Sequence, residues 1–480
     1  MSEPSGGATE EVLRARLSAD IIVDPGAGPE VTGDKEAGPR TVTSLQEALS
    51  LAEDGDKIFL EAGRYTRAEG WSLTSRVTIS GAGAGQCVLV SAGSPTLQIC
   101  AARPEEGVTR AATPILVQRL QFLNNCEISE EQSGDTEVTS SNAAHLYIIS
   151  PDTVTVKDCL FSGGERRSGG ILIAEEAFYR SLLELEFENP ELLSDSGSGM
   201  SDKCLRLFVD FCIFTECQRN SCLFSNNQAT VIVSNTIMSG CGRLGVSAGE
   251  GSSVSLLNCH ISDCSLSCVS ADNVSTVNIL GSYLSESGGA RLTSGPGKQF
   301  NSGIVVTEKS KATVSRSLLR SHRSAVSVDD ADLVFEENCV MDCGTEDSVT
   351  EAGLELEQSA VYISRAGNVV IRANNFHNCN LVWQIQHGSS PRIENNNVET
   401  CLIGFIVSRG SAPRIEGNSL QCALISVGMV MEKSSGNIYN NTFNYVSNGN
   451  LPISIGNCLN ISRTNFLQVW IFTMVVRQFL

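Results

Sequence analysis

The run Asp329-Asp330-Ala331-Asp332 places three carboxylates within four residues. Two carboxyl groups facing one groove could work as general acid and base, or bind calcium. Successive residues of a strand point to opposite sides, however, so Asp329 and Asp330 do not share a face of a strand. No Asn-Thr-Asp or Gly-His-Gly segment accompanies the run, and Asp329, Asp330 and Asp332 read as a solvated turn. His387-Gly388 ahead of Arg392-Ile393 offers a base and a cation. Yet Arg392-Ile393-Glu394 recurs as Arg414-Ile415-Glu416, so a repeated structural position accounts for it. The five histidines fall at different positions of that repeat, and the 18 cysteines include no Cys-x-x-Cys with a matching second pair. No metal or cofactor is therefore expected.

A second group of carboxylates points to association. Residues 127–142 contain Glu130 and Glu131, residues 344–357 contain Glu346, Asp347 and Glu351, and neither segment has a Lys or Arg. The chain carries 54 acidic against 34 basic residues, a net charge of −20. That balance argues against nucleic acid and anionic membranes, which need cations to neutralise phosphate, and disfavours acidic polysaccharides. Protein partners with basic or mixed-charge surfaces fit it better, and these five residues form a candidate partner-binding edge.

What positions these groups is a repeat. Ser389 to Val398 and Ser411 to Leu420 match at an offset of 22 residues. An apolar anchor followed five residues later by a second recurs from Val117/Phe122 to Ile461/Phe466, including Val209/Phe214, Leu256/Ile261 and Ile371/Phe376. Uninterrupted steps are 21 to 24 residues, and steps of 39, 53, 35 and 36 mark insertions near 127–142, 163–203, 286–302 and 344–357. In each, the extra residues are expected between the second and third strands of a coil, on one edge. The segment Ala174 to Asn189 has amphipathic helical spacing.

Three short strands per copy, separated by Asn, Ser and Gly turns, describe an all-β fold: a right-handed parallel β-helix solenoid of about 22–23 residues per coil. Three residues past the anchor, Asn338, Asn374, Asn396, Asn418 and Asn441 align, which predicts an internal amide ladder. Eight past it, Cys217, Cys241, Cys264, Cys343, Cys379 and Cys401 align as small buried hydrophobes. Thr43 to Ala52 carries a Ser-x-x-Glu capping box and reads as an N-terminal helix that caps the solenoid's open end. Residues 1–40 read as a flexible acidic, Gly- and Pro-containing tail, 41–466 as the β-helix, and 467–480 as an apolar C-terminal cap or a truncated end. The first residues lack the basic and apolar regions of a secretory leader, which predicts a cytoplasmic protein. The apolar run Val469 to Val476 is too short to span a bilayer.

Gly55-Asp56-Lys57-Ile58 followed by Gly63-Arg64-Tyr65 resembles the opening strands of the pectin-lyase-like superfamily, with Ala62 where Pro is usual. With the repeat, the chain more closely resembles the intracellular β-helix repeats of F-box-only ubiquitin-ligase subunits and SHC SH2-domain-binding proteins. That resemblance implies a non-catalytic scaffold or adaptor for protein–protein interaction. The ligase role does not carry over, because no F-box-like helical segment precedes Val42. The alternative is a carbohydrate-active or carbohydrate-binding β-helix. It requires several ionisable groups converging in one place on the outward face.

Overall fold

A computed structural model describes all residues except 1–6, 27–37, 93–94, 101–113, 125–143, 150–152, 164–169, 174–204, 218–220, 227, 288–301, 345–348, 351–352, 355–358, 423–425, 431–432, 446–452, 456–460 and 468–480. The chain divides into two compact units, Met1–Ser265 with Ser275–Val277, and Leu266–Val274 with Asn278–Leu480. Each is a stack of parallel coils with three strands per coil.

In unit one the apolar anchors lie in direct register from coil to coil. Ile58 pairs with Ile79, then Val117, Val156, Val209, Val233 and Leu256 on the first strands. Leu89, Phe122, Phe161, Phe214, Met238 and Ile261 follow one another on the second strands. In unit two the same two columns run from Val314 to Ile438 and from Leu284 to Phe443. Parallel strands sit about 4.8 Å apart, so each anchor rests on its counterpart and loses its water on both sides. The interior aromatics respond by stacking: Phe161 lies 4.9 Å from Phe122 and 4.5 Å from Phe214, ring centroid to centroid.

The turn between first and second strands repeats a single device. The residue two past the anchor has a left-handed backbone in both units, at Arg119, Asp158, Phe211, Asn235, Asn258, Arg316, Glu337, Ala373, Asn395 and Asn440. Such a φ costs an L-residue roughly 1 kcal/mol or more. Except after Arg119, where Leu120 is apolar, the following residue turns a polar or thiol side chain inward, and its bonds along the stack offset this cost. Asn396 Nδ2 donates to Ile371 O and to Asn418 Oδ1, both at 2.9 Å, while its Oδ1 accepts from Asn374 N and Nδ2 at 2.9 Å. Asn338, Asn374, Asn418 and Asn441 repeat the pattern, and all five are buried. In unit one Cys159, Thr236, Cys212 and Cys259 occupy this position; Cys212 Sγ reaches the anchor carbonyl of Val156 at 3.6 Å.

The second cysteine column also forms, with Cys241 facing Cys264 and Cys379 facing Cys401. All described cysteines are free thiols, and most are buried. In-register neighbours hold their Cβ atoms about one strand spacing apart, wider than the ~3.8 Å a disulfide prefers.

Three expectations need correction. Residues 1–40 are not simply a tail: Gly7–Leu17 is helical, and buried Ile21–Val23 pairs with both Arg40–Val42 and Lys57–Leu60. The three-residue apolar run Ile21-Ile22-Val23 is enough to add a strand because the first coil offers it a ready edge. Second, the longest insertion does not leave the same edge as the others. The third strand of its coil is Ile171–Ile173, so residues 174–204 lie between the third strand and the next coil's first strand. Third, Ile461 is not the last anchor: Ile438 pairs with Arg463 and Phe443 with Leu467, across a shift between Tyr439 and Thr442.

The capping helix spans Leu45–Leu51, with Ser44 as its N-cap accepting from Glu47 N at 3.2 Å. Its buried Leu45, Ala48 and Leu49 face Ile21–Val23, Arg40–Val42 and Trp71–Leu73. The amphipathic segment Ala174 to Asn189 and residues 468–480 lie outside the described residues.

Candidate functional site

The outward face of the third strands in unit two gathers the groups best suited to bind a ligand. Register sets the arrangement: Asp329 pairs with Ser364, Ser364 with Gln386, and Ile385 with Val407, which brings Ser408 beside Gln386. Each of these strands is followed within two residues by a left-handed residue, Asp330, Arg365, His387 or Arg409. Four polar side chains therefore project in a row about 4.8 Å apart per coil, above a line of strand-end residues.

The row is wired by hydrogen bonds whose polarity can be read. Arg409 Nη1 lies 2.5 Å from His387 Nε2, and a guanidinium can only donate. His387 Nε2 must therefore accept, leaving the proton on Nδ1, which donates to Ser364 Oγ at 3.0 Å. Ser364 in turn donates to Asp329, whose two oxygens also receive Nε and Nη2 of Arg365, the first at 2.7 Å. Partial burial pushes the Asp329 carboxyl up, but the bonds from Arg365 and Ser364 outweigh it and hold the group below its ordinary value. Behind the row Gln386 Nε2 donates to the Tyr362 hydroxyl. Gln384 is buried, and its Oε1 has no hydrogen-bond partner.

This wiring narrows the chemistry. A serine nucleophile needs to give its proton to a histidine nitrogen, whereas here Nδ1 donates to Ser364 and Arg409 caps Nε2. Asp329 is ionised with both oxygens engaged, a poor general acid. What the row offers is planar donors and acceptors at an exposed edge; the Arg365 side chain is 63% exposed.

Of the expected acidic site, only Asp329 takes part fully. Asp330 forms the bend beside Arg365, and Asp332 starts the next first strand opposite Lys311. Ser364, Arg365 and Arg409 were not anticipated; the 22-residue offsets linking Arg365, His387 and Arg409 were the available signal. Arg392 and Arg414 stay in the outward ladder, bonded to Glu394 and Glu416 two residues on, with Arg372 bonded to Glu336. Glu130, Glu131, Glu346, Asp347 and Glu351 lie outside the described residues. Among the described residues no group of three or more His, Cys, Asp or Glu side chains is placed to hold a metal ion. None of their helices is long and apolar enough to cross a membrane.

His145 and His322 are buried and take no part in this row: His145 bonds Ser162 O and Gly170 N, and His322 bonds Leu284 O and Ser287 Oγ. His322 Nε2 donates to Leu284 O at 3.0 Å and Nδ1 accepts from Ser287 Oγ at 2.7 Å, so the ring is neutral. Desolvation lowers its pKa to about 4.

Comparison with known proteins adds the family. The chain is similar in structure to the A-module of the mannuronan C-5 epimerase AlgE6 of Azotobacter vinelandii, with 13% identity, TM-score 0.33, and 92% of this chain and 100% of that one covered. It is also similar to the catalytic unit of a GH87 α-1,3-glucanase of Streptomyces thermodiastaticus, with 11% identity, TM-score 0.44 and coverage of 98% and 70%. For the pectate lyase Pel9A the values are 11%, 0.34, and 77% of both chains. These neighbours are carbohydrate-active enzymes, and likeness at this level concerns the fold. No curated protein matches the chain in sequence. The model of the right handed beta helix region matches residues 144–300 and 302–467, more than half of the chain, and the protein belongs to that family.

Proposed function

We propose that the chain is a carbohydrate-binding β-helix protein that holds a neutral oligosaccharide along the third-strand edge of unit two. The observation that carries this reading is the exposed row Arg365, His387 and Arg409, one per coil, with Asp329 and Ser364 beside it. A coil spacing of about 4.8 Å is close to the length of one hexose unit, so successive sugars would meet successive members of the row, with the guanidiniums of Arg365 and Arg409 as donors. Hydroxyls both donate and accept, which suits guanidinium donors set beside the Asp329 carboxylate. The reading is of binding without cleavage, because the hydrogen-bond polarity leaves no free base or acid. The test is calorimetry with neutral gluco-oligosaccharides and oligogalacturonate against the full chain and the double variant His387→Ala, Arg409→Ala. Binding of a neutral oligosaccharide weakened about tenfold or more in the variant supports the proposal; no binding at about 1 mM sugar, or equal binding by the variant, refutes it.

Protein binding by the acidic insertions is the second reading, favoured by the absence of any Lys or Arg in residues 127–142 and 344–357. A pulldown comparing the intact chain with one lacking 344–357 tests it. Equal recovery of partners removes that loop from the account.

A further inference from the structure

The contact between Arg409 and His387 depends on a proton that the oligosaccharide reading does not use. Both side chains are exposed, and Arg409 Nη1 lies 2.5 Å from His387 Nε2. A guanidinium has no acceptor, so the contact holds only while Nε2 keeps its lone pair. Histidine takes up its second proton within about pH 5–8. Once His387 does so, its Nε2–H and the Arg409 guanidinium meet as two donors, both cationic. The other ring nitrogen is unaffected, since Nδ1 already donates to Ser364 Oγ at 3.0 Å.

His377, on the second strands, has what His387 lacks. Its Nδ1 lies 3.0 Å from Glu399 Oε2, so a proton there strengthens a contact inside the protein. Asp329, the carboxylate of the row, does not serve His387 in this way, because Ser364 and two nitrogens of Arg365 already engage its oxygens. It favours a charged ring through its field alone. The other ionisable groups on that side are Arg365, Asp330 beside it, and Tyr362, whose hydroxyl accepts from Gln386. On the coil after Arg409 stands Lys433, three residues past Val430; Glu432, which precedes it, lies outside the described residues.

Room for an external acceptor is present. Gly388 and Gly410 follow the two residues, and a Cβ at either would meet nothing within 4 Å. An oxyanion offers neighbouring acceptor oxygens, one for Nε2–H and one for the guanidinium, and its charge offsets both cations. We propose that His387 and Arg409 form a site for a small oxyanion, free or esterified, which assembles when His387 is protonated. Proton and anion then bind together: each raises the affinity for the other by the same factor. The site uses the row already described but needs no sugar, so failure of the oligosaccharide reading leaves it standing.

The test is an NMR titration of the full chain labelled with ¹³C in its five histidine rings, from about pH 8 to about pH 4.5. It is run in sodium sulfate at about 50 mM, in sodium methyl sulfate, and in sodium chloride, all at one ionic strength. His387→Gln assigns the signal required. Sulfate is expected to raise the proton affinity of His387 about threefold, or about 0.5 pH unit, relative to chloride, and to leave His377 in place. A shift with methyl sulfate as well identifies an esterified group as ligand; a shift with sulfate alone identifies a free anion. Arg409→Gln should abolish the shift, whereas Arg392→Gln, which removes a cation from the outward ladder, should retain it. No shift in the wild type overturns the proposal, even where Glu432→Gln reveals one, because that carboxylate would then be the internal occupant. An equal shift at His377, persistence in Arg409→Gln or loss in Arg392→Gln overturns it too, since the effect would be general screening.

Discussion

Replacing Asn396 by Ala removes one rung of the amide ladder, and the rest of the structure says how much that should cost. Four hydrogen bonds go with it, but two of the groups concerned keep other partners: Asn374 Nδ2 still reaches Phe335 O at 2.8 Å, and Asn418 Oδ1 still accepts from Asn396 N at 2.8 Å. Asn374 N and Ile371 O each lose the amide bond from Asn396. Leaving a buried backbone group unsatisfied costs about 1–3 kcal/mol, so the expected loss is roughly 2–6 kcal/mol. Asn396→Ser should recover about half of that, because a hydroxyl can accept from the backbone N–H as Ser317 Oγ does from Ser282 N at 3.1 Å. Equilibrium urea unfolding reads both variants; with a slope near 2 kcal/mol/M a loss of about 4 kcal/mol moves the midpoint by about 2 M. A loss below about 0.5 kcal/mol for Ala, or a Ser variant no better than Ala, would show that the ladder does not hold the coils as argued.

Further outcomes follow from His322 and from two glycines at left-handed bends. His322 has a folded pKa of about 4 against 6.5 unperturbed, so the unfolded chain takes up the proton first as pH falls. Its contribution is complete above pH 6.5 and is lost as pH drops towards 4, about 3 kcal/mol in all. Urea unfolding at pH 8 and pH 5 should show this fall in the wild type and a shallower one in His322→Gln; equal slopes would exclude the assignment. Gly70 has φ +65, and a Cβ there would meet Pro95 O at 2.0 Å, so Gly70→Ala should cost roughly 2–5 kcal/mol in thermal or urea unfolding. Gly417→Asn should cost less than about 1 kcal/mol, since Asn395 and Asn440 make the same bend and the near atom is a movable side-chain oxygen. A Gly70→Ala protein that unfolds with Gly417→Asn would contradict both readings.

The interior of this protein is legible in its sequence because burial constrains residue type. Val, Ile, Leu and Phe must recur at the anchors, and an inward polar position in a tight turn is best filled by an amide that can bond to its own kind. The bends are not legible in the same way. The left-handed residue two past the anchor is Phe211, Arg316, Glu337 or Ala373, because its neighbour's bonds support the conformation whatever the side chain. The strand Ile21–Val23 is hidden by its brevity. The Asp329 row is hidden because outward residues obey no burial pattern, and because insertions stretch the spacing from Asp329 to Ser364 to 35 residues. Weighing Asp329 with its chain neighbours Asp330 and Asp332 missed the relevant company, which lies on the next coils.

The bend between first and second strands has a consequence for how this surface can change. Since the backbone path there is dictated from within, the protruding side chain is released from any duty to the architecture. Each coil thereby acquires an interchangeable tip, and substitution at these tips can alter what the molecule greets without disturbing how it stands.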